Sequence, residues 1–361
     1  MSEDHYYLPP LDEPRYPAVP SYNIIPTDSE ILISAQKLIP QTPMTPLFVP
    51  FTRNHLMLRQ TILSYIAAGW PSSQIYIIDN SGTMDANLRN LLSDTNPFHL
   101  NYTLYRGRYG VNIIRTPTLF SFAQLQNFIL FIAMTRRWSH YYWTHQDIAV
   151  LSEEDEQPYK SFYQNVLSSL TSLYPTMNST AAKNGKPWGI VWYSFDWLTL
   201  VNVAAATDVG VGAWDTFIPY YHTDCDYYER MRLTGFPILE KRVGEIYDLA
   251  EHITDPEYRF FGDEGNEADV GSTRYKMLRT ELNVMMESKS AHGRNTWQDE
   301  LKGGKGEPWT YDPKGFQKAW WDIAAAGREV FKKKWGTANC KPSGDGKALS
   351  SMWNETDRSS V

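Results

Sequence analysis

The chain has 361 residues, of which 42% are apolar, and carries a formal charge of −7. That composition excludes a fibrous or wholly disordered chain, and its acidic balance weighs against a nucleic-acid-binding surface. Two cysteines, Cys225 and Cys340, are too few for a disulfide-framed module or a Cys/His zinc finger. No run reaches the roughly 18 apolar residues of a membrane span. The first residues, Met1-Ser2-Glu3-Asp4-His5, lack the basic and apolar regions of a signal peptide. We therefore expect a cytoplasmic protein with no integral membrane segment and no nucleic-acid partner.

Residues 1–45 hold Pro9, Pro10, Pro14, Pro17, Pro20, Pro26, Pro40 and Pro43, which forbid a continuous helix or central strand and suggest an arm. Within the arm, Glu30–Leu38 could form a short helix or strand. An apolar run at Leu47–Phe51 reads as the first strand, with Thr52-Arg53-Asn54 as the loop and helix start. Leu58, Ile62 and Ile66 keep helical spacing until Gly69 and Pro71 stop it. Ile75–Asp79 reads as a buried parallel strand running into Asn80-Ser81-Gly82. The pattern predicts a third strand near Leu100–Tyr105, a helix over Phe120–Arg137, and a strand over His140–Thr144 that opens into His145-Gln146-Asp147. A helix over Tyr159–Leu173, a strand over Gly189–Tyr193 and a strand beginning near Arg242 follow. Helices are predicted at Tyr275–Met286 and Phe316–Lys334, and residues 337–361 read as a polar, mobile tail. Strand–helix alternation of this kind predicts an α/β fold with a largely parallel sheet. Ligands of such sheets bind at the carboxyl ends of the strands, where Asp79 and Asp147 fall.

The most informative stretch runs from Val209 to Phe236. A small-residue turn leads to Trp214-Asp215, an aromatic run follows, and Asp224 and Asp226 open a helix that contains Arg230. Acidic residues in a first helical turn are favoured by the helix dipole, so capping alone is one reading of both.

The arrangement resembles the acceptor-side motif of family-2-type GT-A glycosyltransferases, in which Gly-x-x-Asp and aromatic residues precede an acidic cluster, then Arg and Gly. Thr223 stands where that family has its first acidic residue, Asp224 matches the acid that follows it, and Arg230 comes six residues later. Ile77–Gly82 is similar to the family's second-strand signature. Trp143–Ile148 is similar to its Asp-x-Asp element, with His145 in place of the first Asp. Phe331–Gly336 resembles a Lys-Trp-Gly ending seen after many catalytic domains of the family.

The resemblance implies a GT-A, Rossmann-like nucleotide-diphospho-sugar transferase fold with a C-terminal helical extension. It would comprise an arm over residues 1–45, a catalytic domain over 46–256, a helical segment over 257–338 and a tail over 339–361. It implies a metal-dependent, inverting transferase that takes a UDP-sugar donor and a glycan or other hydroxyl acceptor. Asp224 would be the general base, with Asp226, Trp214 and Asp215 toward the acceptor. Phe51, Thr52, Arg53, Asp79 and Asn127 would bind the nucleotide sugar. Asp147, His252 and His145 would hold Mn²⁺ or Mg²⁺, the imidazole favouring Mn²⁺. Two other readings stay open: a nucleotidyltransferase, and a catalytically inactive nucleotide-sugar- or glycan-binding protein of the same fold. The first would want a Gly-rich loop after the first strand, and Phe51–Asn54 has no glycine.

Overall fold

The structure, a computed structural model, describes residues 44–83, 85–177, 186–262, 273–292, 303–307 and 312–353. The expected element at Glu30–Leu38 lies outside them. In chain order the elements are β1 (Leu47–Phe51), α1 (His55–Ala67), β2 (Ile75–Asp79), β3 (Asn112–Arg115), α2 (Phe122–Thr135), β4 (His140–Thr144) and β5 (Ile148–Leu151). They continue with α3 (Phe162–Met177), β6 (Ile190–Trp192), β7 (Leu198–Asn202), α4 (Thr223–Leu233), β8 (Ile238–Glu240), β9 (Glu245–Asp248), α5 (Pro256–Phe261), α6 (Thr273–His292) and α7 (Pro313–Trp335).

Among the described residues the main sheet has seven strands in the order β3-β2-β1-β4-β7-β6-β8. β3, β2, β1 and β4 are parallel, β7 is antiparallel to both its neighbours, and β8 is parallel to β6. This is the expected α/β class with a Rossmann-like parallel half. Successive β1 side chains point to opposite faces, and both faces are covered. Leu47, Val49 and Phe51 enter one core with Ile75, Ile77 and Tyr142. Phe48 enters the other with Tyr76, Ile78, Tyr141 and Trp143. That is why these strands read as unbroken apolar runs.

The third strand lies later than predicted. Leu104–Arg108 form a wide helical turn, and β3 pairs with β2 through Asn112–Arg115. Leu100, Tyr102 and Tyr105 are apolar because they pack into the core, not because they belong to a ladder.

β1 and β4 part before their ends. Their ladder covers only Leu47↔Tyr142 and Phe48↔Trp143. Two residues on stands Pro50, whose nitrogen has no hydrogen to donate. The chain leaves β1 for β2 on one side while β4 lies on the other, so a crevice opens at this switch point. β5 and β9 form a separate antiparallel pair with Ile148 opposite Asp248.

The tail is more ordered than its composition suggests. Residues Pro342–Asp345 and Leu349–Ser351 form short helical turns, and Cys340 is joined to Cys225 of α4 by a disulfide with Cα atoms 4.9 Å apart. The sequence reading assigned these cysteines no bond. Disulfides persist in oxidising compartments and are rare in the cytosol, which runs against the cytoplasmic expectation. Among the described residues no helix is long and apolar enough to cross a membrane. The bond closes a separation of 115 residues. Reduction is expected to destabilise the fold by about 2–4 kcal/mol, read as a lower urea midpoint with dithiothreitol. An unchanged midpoint would show that side-chain contacts alone hold the tail.

Candidate active site

A cavity of about 340 Å³ opens at the carboxyl ends of β1 and β4, within the size range of small-ligand sites. Thr52 and Arg53 from the β1 end, His145 and Asp147 from the β4 end, and Asp224 from the first turn of α4 all line it. The sequence reading placed these five at the site. Gln146 sits between them and fixes the floor. Its amide accepts from the Thr52 N–H at 3.2 Å and donates to the Arg53 carbonyl at 2.6 Å. The Arg53 guanidinium is buried and lies 4.3 Å from the centre of the Phe316 ring of α7.

Asp147 precedes β5 and Asp248 ends β9, so the β5–β9 pairing sets the two carboxylates side by side. The ammonium of Lys289, from α6, lies 2.9 Å from Asp147 Oδ2 and 2.6 Å from Asp248 Oδ1. Burial and the neighbouring Asp147 carboxylate push the Asp248 carboxyl up from its usual range, against the pull of Lys289. Burial lowers the Lys289 ammonium, but the two carboxylates outweigh it and hold it above its ordinary range.

Asp196 reaches the cavity through a strained loop. Ser194 and Phe195 both have positive φ, 139° and 49°, conformations that L-residues seldom adopt. Asp196 then lies 3.9 Å from His145 Nε2. Burial lowers the His145 imidazole, yet Asp196, then Asp147 and Asp248, hold it above its ordinary range.

Several expected site residues are spent elsewhere. Asp226 is fully buried and does not line the cavity. It accepts from Arg230 Nε at 3.0 Å and Nη2 at 2.7 Å and from Trp335 Nε1 at 2.9 Å, and it lies 2.8 Å from Lys334 Nζ. Asp215 is paired with the same lysine at 2.7 Å. The Lys-Trp-Gly ending is thus a latch onto α4, closed by Gly336 at φ 67°. Trp214 is buried and stacked on Tyr227 at 4.2 Å. Asn127 clamps the Trp214 backbone, donating to its carbonyl and accepting from its N–H, both at 2.9 Å. Asp79 accepts from Tyr102 at 2.7 Å, from the Ser81 N–H at 3.0 Å and from Asn87 at 3.3 Å, so it shapes the loop after β2. Phe51 lies in the core. None of these lines the cavity; beside Asp79 it is Asn80 that does.

His252 is exposed on the segment after β9 and does not line the cavity. Among the described residues, the one set of three potential ligands whose donor atoms lie close together is Asp224, Cys225 and Cys340. Its cysteines are bonded to each other. Asp147, His145 and His252 do not form such a set. Asp248, Asp196 and Lys289 were missed. Asp248 carried a signal, an acid at a strand end four residues before His252, whereas Lys289 carried none.

No protein-family model matches the chain, and no curated protein matches it. Among solved structures it is similar to a mannosyltransferase from Pyrobaculum calidifontis in complex with GDP-Man and Mn²⁺. The identity is 11%, covering 89% of this chain and 83% of that one, with a TM-score of 0.36. A likeness so loose says nothing of chemistry, which rests on the residues of the cavity.

Proposed function

We propose that the chain is a metal-dependent, inverting glycosyltransferase that moves a sugar from a UDP-sugar to an acceptor hydroxyl. The observation that carries this reading is the convergence of Asp147 and Asp248 on one cation position in the switch-point crevice, in the same cavity as Asp224. Asp147, Asp196, Asp224 and Asp248 outnumber the two fixed cations there, Arg53 and Lys289. Such a cavity repels a free diphosphate and favours one that arrives with a divalent ion. Two hard carboxylates fit a divalent ion such as Mn²⁺ or Mg²⁺. Asp147 and Asp248 would hold such an ion, which would supply charge neutralisation of the departing nucleoside diphosphate. Thr52, Arg53 and Asn80 take the nucleotide end. Asp224 accepts the proton of the attacking hydroxyl. Tyr220 and Tyr221, which also line the cavity, pack against Trp320 at 5.0 and 5.3 Å. They offer an aromatic surface to a sugar acceptor.

Calorimetric titration with UDP tests the donor half of this reading. UDP should bind with Mn²⁺ present and lose most of its affinity without it. Asp147→Ala should abolish the Mn²⁺-dependent part. Equal binding with and without the metal would defeat the proposal. Release of UDP from a panel of UDP-sugars separates an enzyme from a binding protein of the same fold.

A further inference from the structure

The Lys289 ammonium has three N–H donors, and the structure gives it three acceptors. They are Asp147 Oδ2 at 2.9 Å, Asp248 Oδ1 at 2.6 Å and the Leu249 carbonyl at 3.0 Å. The side chain is 4% exposed. Its donors are saturated, so it has none left for a phosphate. Its single positive charge offsets one of the two carboxylate charges, and its geometry leaves no donor for a further contact.

The backbone that carries the two carboxylates does not depend on it for its placement. Asp147 and Asp248 are set by the β5–β9 ladder, and the Leu249 N–H donates to the Asp147 carbonyl at 2.9 Å. Lys289 comes from a different element, near the end of α6 and 142 residues from Asp147 in sequence. It reaches the pair on a four-carbon stem with several rotatable bonds. A fixed anionic pair thus meets a cation whose side chain can leave by rotamer change, with no movement of the sheet.

We propose that Lys289 is an internal competitor of the divalent ion, occupying the position where Asp147 and Asp248 converge until metal displaces it. The inference rests on the metal-dependent reading of this site. An ammonium and a divalent ion cannot share the same carboxylate oxygens at bonding distance. The apparent affinity for metal alone is therefore reduced by the fraction of molecules in which Lys289 is withdrawn. A donor that arrives with its ion adds phosphate ligands and tips the exchange. The device keeps the charge of the acidic pair partly offset between turnovers and ties metal uptake to donor uptake.

The test is Mn²⁺ titration of the full chain without nucleotide, following the free-ion signal by electron paramagnetic resonance. Lys289→Gln removes the charge and should bind Mn²⁺ about tenfold more tightly or better than wild type, as expected if less than about a tenth of the molecules have the lysine withdrawn. Lys289→Arg keeps a cation and should show no such gain. Equal Mn²⁺ affinity in all three forms overturns the competitor role while leaving the metal reading intact. If no form binds Mn²⁺, with or without UDP, the metal reading fails and the competitor role with it. Should Lys289→Gln not fold, the wild type itself supplies the answer through lysine acetylation read by mass spectrometry. Lys289 should be protected without metal and modified several-fold faster at saturating Mn²⁺ and UDP. Protection unchanged at saturation overturns the proposal.

Discussion

Asp224→Asn should lower the rate of sugar transfer by about 10²–10⁴-fold, the usual contribution of a positioned general base. Asp224 is in the first turn of α4, half-buried, with its neighbour Thr223 also lining the cavity. The helix dipole at that end favours the carboxylate form that a base requires. The residue that caps the helix is His222, at φ 70°, so the substitution removes no side-chain cap. The variant should therefore melt near the wild-type temperature. It should also bind UDP and Mn²⁺ with unchanged affinity, because the carboxylates that converge on the cation position are Asp147 and Asp248. Loss of transfer with the donor still bound is the pattern that assigns the base. A variant that transfers sugar at near wild-type rate moves the role to another carboxylate of the cavity, and Asp196 is then the one to replace. Asp215 and Asp226 are poor substitutes, since both are already paired with Lys334.

The parallel half of the sheet was legible in the sequence because its strands are buried on both faces. Leu47–Phe51, Ile75–Asp79 and His140–Thr144 read as unbroken apolar or aromatic runs, and each ends in polar residues at the crevice. The residues legible at the site were those next to such strand ends, Thr52, Arg53, His145 and Asp147, or at a helix start, Asp224. Composition could not reveal which polar residues near those ends turn inward. Asp79 and Asn80 are adjacent, yet the first is consumed by Tyr102, Ser81 and Asn87 while the second lines the cavity. Asp224 and Asp226 sit in the same helical turn at positions that face apart, one to the cavity and one to the latch. β7 was hidden for another reason. It runs antiparallel in the middle of the sheet, where strand–helix alternation gives no sign of it. Lys289 is placed by the packing of α6 against β9, a contact between distant segments that no local pattern encodes.

Asp226→Ala should destabilise the protein by about 3–5 kcal/mol, the cost of removing one partner from a buried ion pair. The carboxylate is completely buried and meets four donor atoms on three side chains, Arg230, Lys334 and Trp335. Lys334 keeps Asp215 at 2.7 Å, so it retains a counter-charge. Arg230 keeps carbonyl partners in the loop 211–213, among them Ala213 at 3.0 Å, and the Tyr227 ring at 5.4 Å. The guanidinium would then be a buried charge without a carboxylate. The Trp335 indole N–H would lose its acceptor beside Phe331 and Ile218 in the same small core. Asp226→Asn retains an acceptor oxygen for the indole but not the charge, and should cost less than alanine. An acceptor-contact role would give the opposite pattern, with a raised KM for acceptor and little change in the urea midpoint. Chemical denaturation in the oxidised state, with the Cys225–Cys340 bond intact, separates the two. A midpoint within error of wild type would show that the latch is not what holds α7 against α4.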